Sequence, residues 1–148
     1  GRVTLVWHAA SAPRAKEEER RVWLARSTDD GKTFAPEKAA WSEPTGACGC
    51  CALRAATDER GRISVLYRAA RNTTDRGMYW LGGAAGKSLA GKRLDHWNVG
   101  TCPLSSEAMA VGPAGIIGAW ENNGQIYWTK LDPAGGDVGL PTAAPGTG

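Results

Sequence analysis

The four cysteines are the side chains of this sequence best suited to chemistry. Cys48, Cys50 and Cys51 share one glycine-containing segment, and Cys102 stands apart. Thiolates bind soft metals, and the spacing Cys48-x-x-Cys51 is typical of a metal or redox site. An even number of cysteines, most of them clustered, fits disulfides in an oxidising compartment better than idle cytosolic thiols. Four cysteines allow three complete pairings, among which the sequence does not choose.

Composition limits the kind of protein that carries these cysteines. The 148 residues include 20 Gly, 8 Pro and 7 Trp but a single Phe, and long runs at helical period are missing, which argues against a helical bundle. Charged residues make up 22% and no apolar run reaches the length of a membrane span, so we expect neither a disordered nor a membrane-spanning chain. The net charge of +3 is spread along the chain, so we expect no nucleic-acid partner.

The elements that position the cysteines are predicted to be β-strands in repeated units. Aromatic and β-branched runs bounded by Gly, Asn and Asp are strand signals. One trio of similar runs spans 3–10, 63–70 and 116–122, and a second trio spans 22–25, 78–81 and 126–129. A further short strand is predicted near 37–41. The period of about fifty residues favours an all-β fold built from four-stranded antiparallel units.

The same alignment relates the two cysteine-bearing loops. Residues 46–56 align with 100–110, so that Cys48 and Cys102 fall at one repeat position. We therefore expect Cys102 to form a disulfide with one of the three clustered cysteines, with a second local bridge as an open possibility. The alternative is a thiolate cluster in which Cys48, Cys51 and Cys102 hold a metal ion.

One motif follows the second strand directly. Ser27, Asp29, Gly31, Thr33 and Phe34 form the pattern Ser-x-Asp-x-Gly-x-Thr-aromatic. Such a segment suits a hairpin, because the Asp carboxylate accepts hydrogen bonds from turn amides and Gly takes a positive φ. The pattern resembles the Asp-box, or bacterial neuraminidase repeat, of sialidase-like β-propellers. The resemblance implies a structural role for these residues.

The resemblance covers most of the chain and implies a partial propeller. We interpret 1–45 as an incomplete blade, 46–99 as a full blade and 100–131 as an incomplete blade that ends after its third strand. Residues 132–148 are predicted to form a Pro/Gly-rich flexible tail. Because propellers close with about four to eight blades, we expect the remainder of a longer chain, or another subunit, to complete the structure. The family and the cysteines together indicate an extracytoplasmic location, periplasmic or secreted.

The family places the Asp-box on the face opposite the active site, which defines a working face. Strand ends and loops on that face supply the candidate ligand-binding residues. The guanidinium of Arg68 could grip a carboxylate, with pairing to a rim acid as the alternative. Trp97 could stack on a ligand. The full candidate set is Arg68, Glu121, His8, Trp97 and Arg71.

Two functions are compatible with this frame. A sialidase of this family uses a tyrosine nucleophile, and the family also requires a Phe/Tyr-Arg-Ile-Pro segment that the sequence lacks. Tyr67, Tyr79 and Tyr127 all fall in predicted strand cores, so no catalytic residue is assigned. We therefore expect a non-catalytic scaffold that binds glycan, peptide or a partner subunit, without a cofactor. The alternatives are an exo-α-sialidase completed by residues elsewhere, and a metal or redox site at the cysteines.

Overall fold

The computed structural model describes residues 1–84, 86–134 and 136–146. Its strands form three antiparallel sheets, joined by loops and one 3-10 turn at Glu17–Glu19. Sheet I contains β1 (Val3–Ala10), β2 (Arg20–Ser27) and β3 (Lys38–Ala39). Sheet II contains β4 (Leu53–Thr57), β5 (Ile63–Arg68), β6 (Met78–Gly83) and β7 (Ala90–Arg93). Sheet III contains β8 (Glu107–Gly112), β9 (Gly115–Asn122), β10 (Gln125–Asp132), β11 (Asp137–Val138) and β12 (Thr142–Ala143).

The strands follow one another in sheet order as they do in sequence. The orders are β1-β2-β3, β4-β5-β6-β7 and β8-β9-β10-β11, and β12 adds a second pairing to β10. Short hairpins make this order possible. Between β9 and β10, for example, Asn123 and Gly124 adopt φ values of 51° and 78°, which suit a two-residue turn that matches strand twist. The all-β, antiparallel prediction is therefore confirmed, and the two predicted strand trios correspond to β1, β5, β9 and β2, β6, β10, although the run 63–70 extends two residues past the end of β5.

The C-terminal segment differs from the sequence expectation. A flexible tail was expected from residue 132, after a third unit of three strands. Instead β11 pairs with β10 through Leu131 and Val138, and β12 pairs with the start of β10. The chain reverses before β11 with Gly136 at φ 66°. A composition rich in Pro and Gly is therefore typical of turns between short strands as well as of flexible segments.

Sheet II lies between the other two sheets, and period-two alternation divides its side chains between them. Ile63, Val65 and Tyr67 of β5 pack in one cluster with sheet I, whose Val22 and Leu24 are buried there. Leu66 of β5, with Met78 and Trp80 of β6, packs in a second cluster with sheet III. Successive residues of a strand point to opposite faces, so a strand covered on both sides is apolar throughout. Every residue of β5 is accordingly buried.

The two ends of the sheets carry different features. The Asp-box hairpin follows Ser27, which pairs with Val3 at the start of β1. At the other end of the sheets, the cysteine loop is hydrogen-bonded to Arg68, the last residue of β5. A third small cluster there buries Cys48, Cys51 and Ala70 beside Cys102. We call this region the cysteine end; it comprises the connections 11–19, 42–52, 69–77 and 94–106.

Candidate functional site

The cysteine end contains one disulfide and two thiols. Cys50 and Cys102 are bonded, which ties the loop before β4 to the loop before β8. Cys48 and Cys51 are buried and free. The expected disulfide to Cys102 is thus present, whereas a second bridge is not. Cys102 accepts a single partner, which leaves Cys48 and Cys51 as thiols.

Three sulfur atoms lie close together. The Sγ atom of Cys48 lies 3.5 Å from Sγ of Cys102 and 3.7 Å from Sγ of Cys50. All three sulfurs fall within 4.8 Å of one another. The sequence had suggested Cys51, through its Cys-x-x-Cys spacing, as the third member of such a group. The structure groups Cys50 with Cys48 and Cys102 instead, and Cys51 sits beside that group.

Hydrogen bonds between the loop backbone and three other elements hold the cysteine loop in place. The amide of Cys48 donates to the carbonyl of Arg68 at 2.9 Å, and the amide of Gly49 donates to Oε1 of Glu17 at 2.6 Å. Nε2 of His8 lies 3.0 Å from the carbonyl oxygen of Cys51, while its Nδ1 lies 3.2 Å from Arg20. Sheet I, the 3-10 turn and sheet II therefore fix the loop jointly.

Gly46 is required where the loop passes closest to its neighbours. Its φ is 64°, and a Cβ there would lie 2.7 Å from the carbonyl oxygen of Ala70 and 2.8 Å from the Cα of Glu18. Both contacts are with backbone, which cannot rotate away. A glycine at this position therefore allows the cysteine loop to pack closely against the 3-10 turn.

Two buried arginines surround the thiols. Arg68 is 1% exposed and donates to the carbonyl oxygens of Arg76 at 2.6 Å and of Glu121 at 2.5 Å. Its guanidinium lies 4.9 Å from the ring centre of Trp97, a cation–π distance. Arg76 is 5% exposed and pairs with Oε2 of Glu17 at 2.8 Å. Burial lowers the pKa of Arg68, but its side chain remains a cation because arginine titrates far above neutrality.

These surroundings shift the pKa values of the two thiols in opposite directions. The hydrogen bond from Cys51, the nearby loop amides and the charge of Arg76 together lower the pKa of Cys48 to about 6, against the opposing effect of burial. The pKa of Cys51 is raised, because its proton is held in the hydrogen bond to Cys48 and its site is buried. At neutral pH, Cys48 is therefore the thiolate and Cys51 the thiol, and the thiolate is the reactive and metal-binding form.

A buried carboxyl group completes the site. Glu107 is 3% exposed, and neither of its oxygens has a hydrogen-bond partner. Burial raises its pKa to about 7, although Arg54 and Arg68 oppose the shift. No motif of the sequence marks Glu107 as a site residue. Its aligned position in the preceding repeat is Leu53, and a carboxyl group replacing an apolar repeat residue is the signal that could have indicated it.

The predicted ligand-binding residues gather at this end, but their side chains are largely engaged. Arg68 is committed to backbone carbonyls and to Trp97. Glu121 accepts a hydrogen bond from the Gly124 amide at 2.6 Å and so stabilises the β9–β10 turn. His8 bridges Cys51 and Arg20, as described above. Arg71 alone is exposed, with its backbone bridged to Asp75 outside the cluster.

The Asp-box segment forms the hairpin that its sequence suggests. Asp29 accepts from the Ser27 hydroxyl at 2.6 Å, from the Thr33 hydroxyl at 2.6 Å and from the Thr33 amide at 3.0 Å. These bonds lower the pKa of Asp29 to about 2. Gly31 adopts a φ of 83°, and Phe34 is left partly exposed over the turn. The polar side chains of Ser27, Asp29 and Thr33 are therefore all engaged within the hairpin.

Compared with known proteins, the sequence matches no family model and no curated protein. Within the described residues, no helix has the length and apolar character needed to cross a bilayer. The function must therefore be argued from the geometry of the sheets and of the cysteine end.

Proposed function

We propose that the three sheets are neighbouring blades of a sialidase-like β-propeller and that the chain acts as a non-catalytic binding or assembly scaffold. The supporting observation is a difference in burial among the residues at one repeat position. Tyr67 and Trp120 are 2% and 1% exposed, and each packs toward the preceding sheet. Trp7 occupies the same position in sheet I but is only half-buried. A side chain placed for burial, on a face that no sheet of the described residues covers, favours another sheet at that face.

The opposite face of the molecule supports the same conclusion. The outer surface of sheet III carries Ile126 and Trp128, which are exposed, and the pairing register places Ala119 opposite Trp128 and Ala108 opposite Ala119. Residues on one face of neighbouring strands form a continuous row. This apolar row corresponds to the face of sheet II that packs on sheet III, so it fits a following sheet of the same kind.

The edge of sheet I offers a place for strand pairing. Among the described residues, β1 pairs on one side, with β2. A groove of about 210 Å³ lies between this strand and sheet II. It is lined by Thr4, Val6, Ala55, Ala56, Thr57 and Ile63. An extended segment from a further part of the propeller would supply the missing inner strand and bury the free edge, which otherwise invites aggregation.

The loops at the cysteine end are the proposed binding surface for glycan, peptide or a partner subunit. They lie opposite the Asp-box hairpin and are cross-linked by the Cys50–Cys102 disulfide, so they form a rigid platform. The disulfide also fits an extracytoplasmic location. Binding would fall to exposed groups of these loops, such as Arg71, because the buried arginines are already engaged.

The contacts of Arg68 and the burial of Tyr67 and Tyr79 favour this scaffold over a sialidase. A sialidase arginine must offer its guanidinium fork to a carboxylate, yet Arg68 donates to two backbone carbonyls. Tyr67 is buried with its hydroxyl 2.7 Å from Thr45, and burial raises its pKa, which weakens it as a nucleophile. Tyr79 is 4% exposed and equally inaccessible.

Sedimentation velocity over a range of concentrations tests the scaffold proposal. We expect the chain to associate through its uncovered apolar faces, and the Ile126→Lys, Trp128→Lys double variant to shift toward monomer. Val111→Lys is the matched control, since Val111 is exposed but lies near a hairpin and not in this row. A chain that stays monomeric throughout, or a control that dissociates as much as the double variant, contradicts the proposal.

The non-catalytic part of the proposal is tested separately with a fluorogenic sialoside. We expect no turnover. Turnover that is lost in Arg68→Lys, with folding verified by circular dichroism, would show a sialidase and overturn this part.

A further inference from the structure

We propose that Cys48, Cys50 and Cys102 form a trithiolate site for Cu(I) whenever the Cys50–Cys102 disulfide is reduced. The site is independent of the scaffold function, because it requires only the geometry and charge of the cysteine end. It also differs from the Cys-x-x-Cys site suggested by the spacing of Cys48 and Cys51.

The sulfur positions fit a metal centre with little movement. With metal–sulfur distances of about 2.3 Å, sulfurs around one ion lie about 3.8–4.0 Å apart. The Sγ atom of Cys48 is already 3.5 and 3.7 Å from the other two sulfurs. Only Cys50 and Cys102 must separate, and reduction of their bond is the step that permits this.

The charge around the cluster supports an anionic centre. Nε of Arg68, and Nε and Nη1 of Arg76, are buried donors without hydrogen-bond partners. Buried cationic donors left unpaired are costly, so their presence points to a negative group nearby. Three thiolates with Cu(I) carry a net charge of −2, which the two guanidinium groups would balance.

The number of ligands selects the metal. Structural zinc sites are almost always closed by four protein ligands, whereas the structure brings three sulfurs together. Soft thiolate ligands also select Cu(I), which accepts three-coordinate geometry. Cys51 lies outside this group of three sulfurs and is not a ligand of the proposed site.

The oxidation state of the cluster controls binding. A dithiol reductant supplies two electrons and two protons, which convert the Cys50–Cys102 disulfide into two thiols while the reductant becomes a disulfide. Binding of Cu(I) to Cys48, Cys50 and Cys102 then releases the protons still held by these groups. In the oxidised chain only Cys48 of the triad keeps a free sulfur, so the site is lost.

The test uses the whole chain, reduced with a phosphine under anaerobic conditions and titrated with Cu(I) against a chromophoric Cu(I) chelator. We expect one Cu(I) per reduced chain, none in the oxidised chain, and three sulfur ligands by X-ray absorption. Cys50→Ser and Cys48→Ser should each lose the ion to the chelator, and Cys51→Ser should retain it. Near-ultraviolet circular dichroism checks that each variant is folded.

Three results would overturn the site. The first is a reduced chain that binds no Cu(I). The second is loss in Cys51→Ser with retention in Cys50→Ser, which would assign the ion to Cys48, Cys51 and Cys102. The third is binding of Zn(II) in preference to Cu(I). None of them affects the association test of the scaffold, so the two proposals fail separately.

Discussion

Trp80 and Trp128 stand at the same position of the repeat, one in sheet II and one in sheet III. Trp80 is fully buried and donates its indole N–H to Ser64 at 3.1 Å, whereas Trp128 is 37% exposed. The strands around them differ in the same way, since β6 is buried almost throughout and β10 alternates. Similar strand sequences therefore reach different burial because, among the described residues, sheet II has a neighbour on each side and sheet III has one. The difference separates strands covered on both faces from strands covered on one.

Truncation of the two tryptophans should give the largest contrast. Trp80→Ala is expected to lower the free energy of unfolding by about 3–5 kcal/mol, because it leaves a cavity in the core. Trp128→Ala should cost less than about 1 kcal/mol, since its side chain has little packing to lose. Denaturant unfolding of the isolated chain measures both. Equal losses would mean that the outer face of sheet III is covered in solution.

The inner face of sheet III can be tested through Glu107, whose pKa is raised to about 7. Its folded-state pKa exceeds the unfolded value near 4.3, so protonation favours the folded state, and stability falls as pH rises from about 4 through 7. Glu107→Gln should therefore be more stable than the wild type at pH 8, by roughly 2–3 kcal/mol, with the gap closing below about pH 4. Thermal unfolding across this pH range measures the difference in stability between Glu107→Gln and the wild type. A difference that does not change with pH would indicate a partner for the carboxylate.

A pair of glycines distinguishes the tight packing of sheet II from the open surface of sheet III. A Cβ on Gly82 would lie 2.0 Å from the Trp80 ring, whereas a Cβ on Gly112 would meet nothing within 4 Å. We expect Gly82→Ala to cost about 1–3 kcal/mol through overpacking, and Gly112→Ala to stay within about 0.5 kcal/mol of the wild type. Unfolding in urea is a sufficient measurement. A tolerated Gly82→Ala would mean that Trp80 readily adopts another rotamer.

The smallest effect is expected at the exposed Asp-box hairpin, away from both cores. The pKa of Asp29 is lowered to about 2, so its hydrogen bonds stabilise the folded state above the unfolded pKa near 3.9. That contribution is lost as pH falls from about 4 toward 2. Asp29→Ala should lower the melting temperature at pH 7 and flatten its decline in acid. Asp30→Ala is the control. An equal effect in this variant would contradict a specific stabilising role for the Asp29 carboxylate.

Much of the fold could be predicted because local patterns determine it. Runs such as 63–68 and 126–129 indicate strands. The repeat places the loops that carry Cys50 and Cys102 at equivalent positions. The tail strands β11 and β12 were missed, since each is two residues long and carries no periodic signal.

The site was harder to predict because its members act through three-dimensional neighbours. Arg68 was recognised as important but assigned to a ligand, and only the folded structure shows its donors directed at backbone carbonyls. The choice of Cys50 over Cys48 as the partner of Cys102 depends on loop geometry that spacing does not encode. Glu107 has no motif at all, and its properties come from burial.

The Cys50–Cys102 disulfide has a mechanical consequence. It joins residues 52 positions apart and so encloses the whole of sheet II in one covalent loop. Tension applied between the two ends of the chain would pass through the sulfur–sulfur bond and bypass this loop. Sheet II would then stay folded under load while the outer sheets unravel, and reduction of the bond would release about 170–190 Å of additional chain.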